Sequence, residues 1–346
     1  MLNKNQKIAV YMEANLDSDY GKMGYGVMRY IKNPVVCVVD STNAGKRVNE
    51  ACSLSYDYPV VGSIGEAHDL GAEVLVLGTA PSGGRVPDDW YPQLEQALEF
   101  GMSIVNGLHD RLNEQIGDKI SNPDNQWIWD VRQPAFTPAI ASARAAELNN
   151  KRVLMVGTDM AVGKMTVGLE VYKWVTEKNP SSTFVATGQI GITVTGQGIP
   201  LDAFKLDHAC GAVETAVMGV ANSDIIFIEG QGSILHPGSS ATLSLLRGSC
   251  ANRLIMCHRA GMTRLRKPEA VKVPPIKEFI QLNEELARVC GSLTTAATVG
   301  VALNTSKLDQ EAAQHEIAKL EDETGLPVDD VVRFGAGKLG QAVLDS

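Results

Sequence analysis

Short apolar runs rich in β-branched residues alternate with helix-forming stretches along all 346 residues. This alternation predicts parallel α/β layers, because one parallel strand is joined to the next through a crossover connection that is usually a helix. The runs predicted as strands are 8–14, 34–40, 58–64, 73–80, 102–108, 151–157, 183–188, 224–230, 253–258 and 298–304.

The predicted helices lie between these runs. They are 24–31, 44–51, 90–100, 164–178, 209–220, 241–247, 276–289 and 309–324, with 136–150 as a helical connector. At about 150 residues per domain, the length corresponds to two domains. A polar stretch followed by the connector places the boundary near residue 140, so we predict domains at 1–140 and 141–346.

Composition limits the classes of partner. The chain has 31 Lys and Arg against 40 Asp and Glu, a formal net charge of -9, which argues against a dedicated nucleic-acid or anionic-membrane binder. No apolar run approaches the length of a membrane span. We therefore expect a cytoplasmic homo-oligomer that acts on small molecules.

The cysteines and histidines do not form a metal-binding pattern. The six cysteines are Cys37, Cys52, Cys210, Cys250, Cys257 and Cys290. They form no CxxC pair, and the six histidines form no HExxH motif. Because structural metal sites use such spacings, we predict no metal.

The most informative segment follows the predicted strand 151–157 and reads GTDMAVGKMT. Its glycines permit a tight turn with inward-facing N–H groups, the following helix adds positive potential, and Lys164 supplies a full charge. We predict a phosphate-binding loop, with a glycine-rich turn bearing a solvated lysine as the alternative. The predicted ligand-binding residues are Gly157, Thr158, Val162, Gly163, Lys164, Met165 and Thr166.

This loop departs from the usual GxxxxGK[ST] pattern. Five residues separate Gly157 from Gly163, Met165 follows the lysine, and the hydroxyl comes one position later, at Thr166. Ser or Thr directly after the lysine normally ligates Mg²⁺ beside a nucleotide. The loop therefore favours phosphate binding over phosphoryl transfer.

The loop resembles the GTDxxVGKT segment of the dethiobiotin synthetase family. The likeness continues at EGQG (229–232), LHP (235–237) and GVALN (300–304). Methionine after the lysine makes the segment more similar to a family of unknown function that joins a Rossmann-like half to a dethiobiotin-synthetase-like half. The resemblance implies a Rossmann-like domain at 1–140, a P-loop NTPase-like, acyl-CoA- or nucleotide-binding parallel-sheet domain at 141–346, and Asn304 beside an adenine.

Within that family, the whole chain is similar to the D-glutamate N-acetyltransferases of bacterial D-glutamate catabolism. This resemblance implies transfer of acetyl from acetyl-CoA, as co-substrate, to the amine of D-glutamate. The loop 157–166 would then hold the CoA phosphates. Such a use needs no hydrolysis and no tightly held Mg²⁺, which agrees with Met165.

Acetyl transfer to an amine needs a base, because only the neutral amine attacks a thioester. Glu229 is the first candidate, since it ends an apolar strand where burial would raise its pKa; in nucleotide-hydrolysing relatives this glutamate would help to hold a metal. His236, on a glycine-containing loop, is the second candidate. Asp159 lies inside the phosphate loop and would have to point toward a metal, the substrate amine or the backbone.

A dicarboxylate substrate needs cationic or hydrogen-bonding partners. His258 and Arg259 follow the strand 253–258, and ligands of open α/β sheets bind beyond the carboxyl ends of the strands. Gln189 follows the strand 183–188 and could bond a carboxylate. Arg264, Arg266 and Lys267 fit a solvated face equally well.

The first half lacks the dinucleotide fingerprint GxGxxG. Its glycines at 21, 24 and 26 read GxxGxG, and Asp40 ends the second strand where a ribose-binding acid would lie. We therefore predict a Rossmann-like domain without NAD binding. Two other functions stay open for the whole chain: an ATP- and Mg²⁺-dependent ligase or kinase acting on a small carboxylate, and a nucleotide-binding regulator without turnover.

Overall fold

The computed structural model describes residues 2–289 and 294–346. Its contacts divide the chain into two compact units. The first unit extends to Gln133 and also includes Gln189–Pro200, and the second comprises Pro134–Gly188 and Leu201–Ser346.

Each unit is built on one six-stranded sheet in which all the paired strands are parallel. The strands are β1 (Ile8–Tyr11), β2 (Val35–Val39), β3 (Val60–Val61), β4 (Val74–Leu77), β5 (Ser103–Asn106), β6 (Ile128–Asp130), β7 (Lys151–Gly157), β8 (Ser182–Val185), β9 (Ile225–Ile228), β10 (Arg253–Arg259), β11 (Ala297–Asn304) and β12 (Val328–Asp329). This architecture confirms the predicted α/β class.

The helices cover the sheets. They are α1 (Lys22–Tyr30), α2 (Val48–Ala51), α3 (Ile64–Asp69), α4 (Tyr91–Glu99), α5 (Leu112–Ile116), α6 (Lys164–Thr176), α7 (Gln189–Thr195), α8 (Leu206–Met218), α9 (Ala241–Ser249), α10 (Ile276–Val289), α11 (Gln310–Thr324) and α12 (Gly337–Asp345). Strands covered on both faces are mostly apolar. The strands β1, β4 and β9 follow this pattern, and all four residues of each are buried.

The first sheet has the order β3-β2-β1-β4-β5-β6. This is the order of a Rossmann fold, in which the direction of winding reverses between the first and fourth strands.

The second sheet has the order β12-β11-β10-β7-β9-β8. The central strand β7 lies between β10 and β9, and Gly157 pairs with Cys257 at its carboxyl end. Because the strands are parallel, the segments that follow β9, β7, β10 and β11 all begin at one edge of this sheet.

The helical connector predicted at 136–150 is wrong. Only Arg144–Glu147 forms a short 3-10 turn. The main-chain N–H groups of Ser142 and Arg144 instead donate to the buried carboxylate of Glu214 on α8, as does Arg144 Nε. These tertiary bonds replace the hydrogen bonds of a helix.

The other differences concern elements of nine residues or fewer. The strands β6 and β12 and the helices α3, α5, α7 and α12 do not appear among the predicted elements, and only Val48–Ala51 of the predicted helix 44–51 is helical. Gly45 has a φ of 84°, which a helix does not accommodate. Within the described residues, no helix has the length and apolar character needed to cross a membrane.

Candidate functional site

The loop between β7 and α6 has the backbone of a ligand cradle. Gly163 has a φ of 107°, and a side chain at this position would meet no atom within 4 Å. Only glycine adopts this conformation readily, and its face remains open to an approaching group. Gly157 has the opposite role: a Cβ there would lie 2.9 Å from Val162 Cγ2 and 3.1 Å from the Cys257 carbonyl oxygen. Gly157 therefore lets the loop pack closely against the sheet, and Gly163 leaves the loop backbone accessible.

Lys164 is buried at the start of α6. Its Nζ donates to the carbonyl oxygens of Asp159, at 2.7 Å, and Met160, at 3.1 Å. Burial lowers its pKa to about 8, although Cys257, Asp159 and Glu229 oppose this change. The ammonium group is thus mostly charged at neutral pH, and two carbonyl oxygens of the loop hold it.

The carboxylate of Asp159 is turned toward main-chain N–H groups. It accepts from Met160 N at 2.7 Å and from Arg266 N at 3.1 Å. Arg259 also reaches the loop, since its guanidinium donates to the Ala161 carbonyl oxygen at 2.6 Å. The sequence left three partners open for Asp159: a metal, the substrate amine or the backbone. The hydrogen bonds of its carboxylate are to the backbone.

His258 is also linked to the loop, through its Nδ1, which lies 2.9 Å from Thr158 Oγ1. Burial, with a smaller effect of the Arg259 charge, lowers the pKa of His258 to about 4. The imidazole is therefore neutral at pH 7. It can hydrogen-bond a substrate but adds no positive charge for a carboxylate.

Glu229 follows β9 and is buried. Its Oε2 accepts from the N–H groups of Thr187, at 2.8 Å, and Gly188, at 3.0 Å. Gln231 Nε2 lies 3.3 Å from its Oε1. These bonds and the charge of Lys164 favour the ionised form, yet burial outweighs them and raises the pKa of Glu229 to about 7. A carboxyl group with this pKa exchanges a proton readily at neutral pH.

Sequence reasoning missed the two amides that hold this carboxylate. Thr187 and Gly188 follow β8, which pairs with β9. A side chain at position 188 would lie 2.5 Å from Gln231 Nε2 and 3.2 Å from Glu229 Oε1. The dipeptide Thr187-Gly188 at the end of an apolar run was the available signal, because glycine often marks a close approach of the backbone.

The two ring nitrogens of His236 are both engaged with main-chain groups. Nδ1 accepts from Gly238 N at 3.1 Å, and Nε2 lies 2.7 Å from the Lys267 carbonyl oxygen. An N–H group only donates and a carbonyl oxygen only accepts, so the proton is on Nε2. In this arrangement, His236 links two loops and offers no ring nitrogen to a substrate.

The remaining predicted positions are spread over both units. Asn304 ends β11 and accepts from Ser306 N through Oδ1 at 3.1 Å. Met165 and Thr166 lie in the first turn of α6, and Val162 is buried. Gln189 begins α7, which belongs to the first unit.

In the first unit, the glycines of the GxxGxG segment and Asp40 contact neighbouring residues of the same unit. A side chain at Gly24 would lie 2.5 Å from Met12 Sδ, and one at Gly21 would lie 2.7 Å from Met12 Cε. Asp40 is buried, and its carboxylate accepts from Ala14 N, Leu16 N and both the N–H and hydroxyl of Thr42. These glycines and this acid therefore serve internal packing.

The described part of the chain contains no group of three or more His, Cys, Asp or Glu side chains arranged to hold a metal ion. Cys290 lies outside the described residues.

Fold and site define a two-domain protein with a Rossmann-like unit and a unit of the P-loop type. Residues 41–134 match the Rossmann-like domain of unknown function DUF1611_N, and residues 139–340 match the P-loop domain DUF1611_C. The chain belongs to the DUF1611 family, which confirms the family resemblance predicted from the loop.

Two curated proteins are similar to this chain over 80% of its length and 83% of theirs, and both are named D-glutamate N-acetyltransferase. The protein from a Pseudoalteromonas species is 36% identical, and that from Tritonibacter scottomollicae is 35% identical. A DUF1611 protein from Anabaena variabilis, known from a crystal structure, is 43% identical over the full length of both chains, with a TM-score of 0.93.

Proposed function

We propose that this protein transfers the acetyl group of acetyl-CoA to the amine of D-glutamate. The observation that carries the proposal is the 36% identity, over four fifths of the chain, to a protein with this named activity. The phosphate loop and the buried Glu229 support it, because the first suits a polyanionic carrier and the second suits proton transfer.

The loop would bind the CoA phosphates through its N–H groups and Lys164. The open face of Gly163 lets phosphate oxygens approach the backbone, and the N-terminus of the 13-residue helix α6 adds positive potential. Arg259, already bonded to Ala161, adds a second positive charge at this loop. Asp159 repels a bound phosphate only weakly, because hydrogen bonds from two main-chain N–H groups stabilise the negative charge of its carboxylate.

Glu229 would be the general base. Its Oε2 holds two main-chain bonds, so Oε1 is the oxygen that takes a proton from the amine of D-glutamate. The neutral amine then attacks, and the new N–C bond forms as the C–S bond breaks. Glu229 passes its proton to the departing CoA sulfur, and the second proton that the nitrogen loses as the amide forms goes to solvent. The developing oxyanion needs a donor, and Gln231 Nε2 is a neutral donor beside this carboxylate.

The carboxylates of D-glutamate need partners in addition to Glu229. We retain Arg259 for this role, because its guanidinium brings a positive charge. Its bond to Ala161 occupies one nitrogen of a guanidinium that has further donors.

The experiment that tests this function is an acetyl-transfer assay without ATP and without Mg²⁺. Purified protein is incubated with acetyl-CoA and a panel of D- and L-amino acids, and both thiol release and product mass are measured. The expected result is free CoA with N-acetyl-D-glutamate. No thiol release with any amino acid, together with Mg²⁺-dependent ADP formation from ATP, would overturn the proposal in favour of a ligase or kinase.

A further inference from the structure

A cavity of about 360 Å³ lies in the second unit beside the phosphate loop. His258 forms part of its wall and also bonds Thr158 of the loop at 2.9 Å. One side chain therefore separates the cavity from the residues that would hold phosphate. Much of the remaining lining is apolar, with contributions from Met262, Val273, Pro274, Ile276, Leu303 and Leu320.

The charged residues of the cavity lie on α11 and have a net negative balance. They are Glu316, Lys319 and Glu323, and Lys319 Nζ lies 3.6 Å from the Glu316 carboxylate. The neutral His258 adds no positive charge. Phosphates and carboxylates are therefore disfavoured, whereas an uncharged, largely apolar group with N–H donors for the two carboxylates fits the lining.

Sheet order places this cavity and Glu229 on opposite sides of the loop. The loop follows β7, His258 lies on the neighbouring strand β10, and Glu229 follows the other neighbour, β9. Adjacent strands are about 4.8 Å apart. A ligand with its phosphates on the central loop can therefore extend toward Glu229 with one end and toward the cavity with the other.

We propose that the cavity binds the purine base of the phosphate-bearing ligand. The identity of that ligand as acetyl-CoA rests on the proposed function. In acetyl-CoA, the thioester and the adenine lie at opposite ends of the molecule, with phosphates between them. The thioester end has to reach Glu229, so the adenine end extends toward His258. The 6-amino group of adenine supplies N–H donors for Glu316 or Glu323.

This position differs from the adenine contact that the dethiobiotin synthetase resemblance implies. Leu303 lines the cavity, and Asn304 is the next residue of β11. Successive residues of a strand point to opposite faces. The base would therefore lie on the face of the sheet away from the Asn304 side chain, packed against Leu303 and its strand partner His258.

Calorimetry with adenosine 3′,5′-bisphosphate tests the inference. Val273→Trp fills the cavity and should weaken binding at least tenfold, which corresponds to about 1.4 kcal/mol. Lys272→Trp is the matched control, because it adds the same side chain one residue away at an exposed position that does not line the cavity, and it should change affinity less than twofold. Equal effects of the two variants would overturn the inference.

A second measurement needs no variant and remains decisive if Val273→Trp does not fold. The unaltered protein should bind adenosine 3′,5′-bisphosphate at least tenfold more tightly than the same ribose bisphosphate without its base, and equal affinities would overturn the inference. If the protein transfers acetyl but binds both bisphosphates with equal affinity, the purine site in the cavity is rejected and the proposed function stands. If binding requires both the adenine and the unfilled cavity, but no amino acid is acetylated, the proposed function is rejected and the purine site stands.

Discussion

Replacing Glu229 with glutamine should lower activity and raise stability at the same time. Burial raises the pKa of Glu229 from 4.5 to about 7, and each pKa unit corresponds to about 1.4 kcal/mol. The free energy of unfolding therefore falls by roughly 3 kcal/mol as Glu229 ionises. This decrease develops as the pH rises from about 4.5 through 7. Glutamine keeps an oxygen for the N–H groups of Thr187 and Gly188 but carries no charge.

The assay is thermal unfolding at pH 5.5 and pH 8.5, together with kcat for acetyl transfer. Glu229→Gln should unfold several degrees above the unaltered protein at pH 8.5, and the difference should be much smaller at pH 5.5, where Glu229 is largely protonated. Loss of the base should reduce kcat by about 10² to 10⁴. A variant with full kcat, or one without a gain in stability at pH 8.5, would refute the reasoning.

Glu214→Gln is the matched control. Glu214 is equally buried and also accepts from two main-chain N–H groups, but its carboxylate is paired with Arg144 at 3.0 Å. Removing its charge leaves Arg144 without its ion-pair partner, so this variant should unfold at a lower temperature at pH 8.5 while kcat stays within about twofold. If Glu214→Gln is also more stable than the unaltered protein at pH 8.5, the gain in Glu229→Gln does not come from the raised pKa of Glu229.

The other predictions concern the loop, the pH profile and metals. Lys164→Ala should weaken CoA binding measured by calorimetry about tenfold to a hundredfold, because it removes a charged donor, whereas the exposed Lys178→Ala should leave it unchanged; intact affinity in Lys164→Ala would mean that the loop does not bind the phosphates. A plot of log kcat/KM against pH should rise up to about pH 7 as Glu229 deprotonates and fall above about pH 8 as Lys164 loses its charge; a rising limb that persists in Glu229→Gln would exclude this residue as the base. Because Met165 replaces the hydroxyl that would ligate Mg²⁺, EDTA should leave acetyl transfer unchanged, and inactivation reversed by Mg²⁺ would contradict the metal-free proposal.

Local signals in the sequence were sufficient for the phosphate loop. The strand β7 ends at Gly157 and the helix α6 begins at Lys164, and both bounds were predicted from a β-branched run and a glycine-lysine pair. Such signals lie within a few residues of the element that they specify. The same holds for α10 and for β11 up to Asn304, whose long periodic or apolar segments are distinctive.

The hydrogen bonds of the site depend on sheet order, which a single sequence does not encode locally. Thr158 meets His258 because β7 pairs with β10, and Glu229 meets Thr187 because β9 pairs with β8. The helix α7 was missed because its β-branched residues, among them Ile190 and Val194, favour strands. The strands β6 and β12 were missed because two or three residues are too few to show a period.

The most direct test of the account is a crystal structure of the protein with CoA and D-glutamate. We predict phosphate oxygens within hydrogen-bonding distance of the Gly163 and Lys164 N–H groups, with the CoA sulfur and the amine of D-glutamate directed toward Glu229 Oε1. Phosphates bound elsewhere, with Lys164 Nζ still bonded to the Asp159 and Met160 carbonyl oxygens, would contradict it.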